Sequence, residues 1–72
     1  MLDRLLDDIG EMTDSNNKSF QKLHYMEISL VTKQGTSNGA ALIDERWIPK
    51  SQLRGDFDKN LWVSNWWYEK NM

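Results

Sequence analysis

The sequence predicts an α+β domain with an N-terminal amphipathic helix, an antiparallel meander of three or four strands, and a short C-terminal helix. Three observations carry this. Apolar residues recur at helical spacing over the first dozen positions, they recur at spacing two from Phe20 onward, and clusters of turn formers separate the alternating runs. Helical periodicity followed by strand periodicity segregates helix from sheet, and a partial barrel is the alternative way for such a sheet to close.

Leu2, Leu5, Leu6, Ile9 and Met12 fall on one helical stripe, with Asp3, Asp7, Asp8 and Glu11 elsewhere around the axis. Gly10 costs about 1 kcal/mol relative to Ala inside a helix, so the last turn is expected to fray before the Asp14-Ser15-Asn16-Asn17 cluster. About three turns are marginal in isolation. The stripe must therefore lie on the domain's own sheet, on a second copy of the chain or on a target. Its own sheet is the expectation, because a chain of 72 residues has a thin core and needs the apolar area. Charge divides the chain in the same place. The first fifteen residues hold five acids against Arg4 alone, a net −4, and the rest holds eight bases against six acids, a net +2. Two regions are expected: an acidic amphipathic helix over 1–15, and a small antiparallel β domain with its closing helix over 20–72.

Met26, Ile28 and Leu30 alternate with Glu27 and Ser29, which predicts a strand burying the first three, with Tyr25 free to be exposed on the other face. Residues 33–39 are dense in turn formers and predict a long hairpin loop. A second strand follows over 40–43, then a two-residue reversal at Asp44-Glu45, then a third strand over 46–49. Pro49 lacks a ladder donor, so it ends that strand or sits on an edge. Residues 51–54 suggest a helical turn, 55–60 a polar loop around Phe57, and 61–63 a fourth strand. Ser64 is placed to cap a two-turn helix over 65–71.

The residues that carry chemistry are sparse. With no Cys and one His, the chain has neither disulfides nor the ligand set of a structural zinc site. His24 has no partner acids in a metal or triad pattern and reads as a surface or satisfied strand residue. Ser51 beside Lys50 resembles a Ser-Lys dyad, which would need a buried, neutral lysine. Asp56 and Asp58 alternate like the start of a calcium loop but lack its later acids and glycine, so they read as a solvated turn. Gly35 and Gly39 form no phosphate cradle. The expectation is a protein that is not an enzyme and takes no cofactor or metal. No apolar run approaches the roughly 20 residues of a membrane span, and the first ten residues carry acids where a signal peptide carries bases, so a cytoplasmic location is expected. The formal net charge of −2 is the wrong sign for a general nucleic-acid binder.

The aromatics say more. Trp47, Trp62, Trp66, Trp67 and Tyr68 exceed what so small a core readily encloses, since each ring covers on the order of 150 to 250 Å². In a strand Trp62 points away from Leu61 and Val63, and in a helix Trp66 and Trp67 diverge by about 100°. The expectation places Trp47 and Trp66 in the core. Trp62, Trp67 and Tyr68 are then left at the surface, with Arg46, Lys50 and Arg54 beside them as partner-binding residues. Such a set suits a protein interface, where Trp, Tyr and Arg dominate. It also suits single-stranded nucleic acid, whose bases stack while cations meet phosphates.

Trp47-Ile48-Pro49-Lys50-Ser51-Gln52-Leu53, followed by Leu61-Trp62-Val63-Ser64-Asn65-Trp66, resembles small proteins carried by phages and prophages. In those, a strand ending Trp-(Ile/Leu)-Pro-Lys-Ser-Gln precedes a Leu-x-Val-(Ser/Thr)-x-Trp segment and a short terminal helix. The likeness covers residues 40–70 and implies a mobile-element origin and a sheet-based fold, with no reaction attached. The acidic helix and the bulky Trp67-Tyr68 pair depart from the pattern. The expected function is that of a phage-type accessory protein that binds a host or phage protein, for instance to inhibit a host defence or nucleic-acid enzyme. A single-stranded nucleic-acid module is the second choice. The third is self-association through Leu2, Leu5, Leu6 and Ile9.

Overall fold

The computed structural model describes residues 2–12 and 18–72; the Asp14–Asn17 turn cluster lies outside the described residues. The α+β class holds, with an N-terminal helix α1 (Leu2–Asp8) and a C-terminal helix α2 (Asn65–Asn71). Between them the sheet is more divided than the periodicity suggests. Among the described residues, seven strands form two separate sheets, and neither closes into a barrel.

Where the helix was expected to fray, the chain becomes a strand instead. Gly10–Glu11 (β1) leaves α1 and pairs in parallel with Leu53–Gly55 (β6), Gly10 opposite Arg54 and Glu11 opposite Gly55. Met12 is still buried, tied by its N–H to the Gly55 carbonyl at 2.6 Å. The four-stranded sheet runs β1-β6-β7-β2, where β2 is Phe20–Lys22 and β7 is Leu61–Ser64. The second sheet is a plain meander of β3 (Ile28–Val31), β4 (Ala40–Ile43) and β5 (Arg46–Pro49).

The alternation starting at Phe20 thus belongs to two strands in different sheets. They part because the N–H groups of Met26 and Glu27 donate to the Asp44 carboxylate, each at 3.0 Å, instead of joining a ladder. The face expected to be buried is corrected as well. A register shift lies between Ile28 and Leu30, and an extra residue in a strand exchanges the two faces beyond it. Val31 is therefore buried and Leu30 46% exposed, while Ile28, before the shift, packs against the core as expected, and Met26, ahead of the strand, is 93% exposed.

The Asp44-Glu45 reversal holds as read. Both residues take positive φ, 50° and 66°, as a two-residue hairpin turn matched to strand twist requires. The helical turn expected over 51–54 is a single 3₁₀ turn (Lys50–Gln52), after which β6 carries the chain from one sheet into the other. Leu53, Leu61 and Val63 from the first sheet meet Ala41, Ile43 and Ile48 from the second in one core. Leu5 joins them with no exposed surface, and Leu2, Leu6 and Ile9 pack against the cluster. The helix stripe is thus covered by the chain's own sheets, and the side chains suggested for self-association face inward.

Candidate interaction surfaces

Three of the four tryptophans depart from expectation, while Trp62 lies on an outer sheet face as expected. Trp67 is only 8% exposed and belongs to the core, with Tyr68 partly buried beside it. Trp66 is 62% exposed and Trp47 49% exposed. Adjacent helical residues diverge, so one ring of the Trp66-Trp67 pair had to face out; the period alone did not choose which. At Trp47 the choice was legible. Ile48 pairs with buried Ala41 and faces the core, so strand alternation turns its neighbour outward.

Lys50 is also corrected, from an exposed partner contact to a buried structural node. Its ammonium is 2.8 Å from Asp8 Oδ2 and donates to the carbonyls of Lys33 and Thr36, both at 3.1 Å. Asp8 accepts further from the Gly35 N–H at 3.1 Å. One lysine thereby ties the end of α1 to the 33–39 loop and to the exit of β5. The Lys50 hydrogen bond, helped by Gly35, holds the Asp8 carboxyl below its ordinary value although burial pushes the other way. With all three ammonium protons engaged, Lys50 offers no free amine to Ser51.

Arg46 stands at the hairpin end, where its guanidinium donates to the Asn71 carbonyl at 3.1 Å and caps the last turn of α2. Trp62 is half-buried on the outer face of the first sheet, and its indole N–H donates to Asp56 Oδ2 at 2.9 Å. Asp56 also accepts from the N–H groups of Asp58 and Asn60 and from the Asn60 amide. The suspected calcium-type acids thus form a turn in which one carboxylate is held by donors. The Trp62 hydrogen bond is the main reason that the Asp56 carboxyl lies below its ordinary value.

The outer face of the second sheet was not foreseen. Leu30 pairs with Leu42 and Leu42 with Trp47, so the three side chains form one apolar row across β3, β4 and β5. At the turn end of that row stand Glu27, Asp44 and Glu45, all exposed, with Met26 beside them. The signal was present in the sequence as Leu42 and Trp47 at matched positions either side of the turn, but the register shift in β3 hid the third member. No protein-family model matches the chain, and neither does any curated protein or solved structure.

Proposed function

We propose that the protein is a non-catalytic, phage-type accessory protein that binds a host or phage protein through the outer face of β3-β4-β5. The apolar row of Leu30, Leu42 and Trp47 beside three exposed carboxylates carries this reading. An exposed Trp flanked by aliphatic side chains has the composition of an interface hot spot. The acidic rim calls for a partner whose contact surface is apolar at its centre and basic at its edge. Enzymes that handle nucleic acid carry such basic surfaces, which supports a host defence or nucleic-acid enzyme as the partner class.

The test is affinity capture from host lysate with the intact chain and with Trp47→Ser. The substitution lies on an exposed strand position and is expected to leave the circular dichroism unchanged. One basic protein at stoichiometric level, released by salt and lost with Trp47→Ser, is the expected result. Equal capture by Trp47→Ser, or no saturable partner, would overturn the reading.

A further inference from the structure

The geometry points to a second binding surface, on the outer face of the four-stranded sheet, that takes single-stranded nucleic acid by stacking bases and neutralising phosphates. Register places Arg54, Trp62 and Lys22 in one row across β6, β7 and β2. Phe20 stands opposite Ser64 on the same face, and the Arg54 guanidinium lies 4.9 Å from the Phe20 ring centroid.

These planes are held in place before any ligand arrives. The Arg54 guanidinium donates to the carbonyls of Ser51 and Leu53 at 2.9 and 2.7 Å. Gly10 makes room for its stem, since a Cβ there would stand 2.8 Å from Arg54 Cδ. Trp62 is fixed by Asp56. Rings and guanidinium planes already ordered lower the cost of stacking a base.

Charge agrees. The ion pairs among the described residues are Lys50–Asp8 and Lys59–Asp3, which leaves Lys18, Lys22 and Arg54 without a carboxylate partner among them. Lys18 lies at the end of this sheet where Asn65 binds the Lys18 and Ser19 carbonyls, and exposed Trp66 is the next residue in the chain. Pre-set stacking planes with Arg54 and Lys22 beside them, against the single Asp56 carboxylate that holds Trp62, suit unstacked bases, whereas a duplex hides its base faces.

The test is fluorescence anisotropy of a short labelled oligothymidylate titrated with the full chain at low salt. Binding is expected, with a log–log salt slope of about −0.7 for each phosphate met and so about −2 for three cations. Lys22→Met, exposed at a sheet edge, should reduce the magnitude of that slope by about 0.7. Arg54→Lys keeps the charge but loses the plane, and should weaken binding about fivefold to tenfold with circular dichroism unchanged. Lys70→Met, in the last turn of α2, is the charge-matched control and should have no effect. No binding at low salt, equal loss with Lys70→Met, or a duplex bound as tightly as the strand would each overturn the proposal.

Discussion

Glu45 holds φ at 66° and Asp44 at 50°, a region that costs a residue with a Cβ roughly 1–2 kcal/mol. Asp44 is retained there by what its carboxylate does, accepting the N–H groups of Met26 and Glu27. Glu45 has no comparable bond among the described residues, so Glu45→Gly should stabilise the fold by about 1 kcal/mol, less the added entropy of an unfolded glycine. Thermal unfolding should show a rise of a few degrees, whereas Asp44→Ala should lower the midpoint. Acid sensitivity is also set by single residues. Asp56 and Asp8 both titrate below the ordinary 3.8 in the folded chain, so the unfolded chain binds protons first as pH falls. Their contribution is therefore complete above that value and is lost as pH drops through the depressed folded values. The midpoint should hold from pH 7 to about 5 and fall below about 4. Trp62→Phe removes the chief cause of the Asp56 shift and should flatten the acid limb, read from unfolding curves at pH 7 and pH 3.

Elements with local causes were legible in the sequence. The β4-β5 hairpin follows from alternation and two turn residues within a few positions, and α2 begins after Ser64 as read, although the Ser64 side chain makes no capping hydrogen bond. β1 was not legible, because it exists through a partner more than forty positions away, and β6, although it pairs with β7 nearby, was hidden between the helical turn expected over 51–54 and the polar loop expected over 55–60. The feature that lets α1 lie close against β6 is Gly55. A Cβ there would stand 2.3 Å from Leu6 Cδ2, so the bare backbone of β6 is the seat of α1. Gly55→Ala should cost about 1–3 kcal/mol through overpacking, and Leu6→Ala in the same chain should recover part of it. Denaturant midpoints across that double-mutant cycle would settle whether the two sites are coupled. The Lys50 node was hidden for the same reason, since its carboxylate comes from α1 and its carbonyl acceptors from the 33–39 loop, both far from it in the chain. Lys50→Met should destabilise by about 3–5 kcal/mol, the range for removing one partner of a buried pair. Adding Asp8→Leu should restore only part, because the Lys33 and Thr36 carbonyls and the Gly35 N–H would remain without their bonds.

At the scale of the molecule, composition foretold too much aromatic surface for the interior, and Trp47 and Trp66, both expected inside, supply most of it, while Trp67, expected outside, is buried. What composition does not contain is the separation of charge by face. Glu27, Asp44 and Glu45 gather at one end of the second sheet, while Lys22 and Arg54 stand on the outer face of the first, with Lys18 at its end. Only the strand order, with two inner faces sharing one core, puts these sets on different surfaces. The same shared core ties the acidic head to the rest: Leu5 is sealed within it, Met12 bonds to β6, and Asp8 grips the 33–39 loop through Lys50. A fold of this size has roughly 4–11 kcal/mol of stability in total, so the head cannot detach without removing much of it. Amide exchange should therefore give Leu53, Val63 and Met12 similar protection, and Leu5→Ala, at about 2–5 kcal/mol, should lower all three together. Loss of protection confined to residues 2–12 would show instead that the head opens by itself while the sheets stay folded.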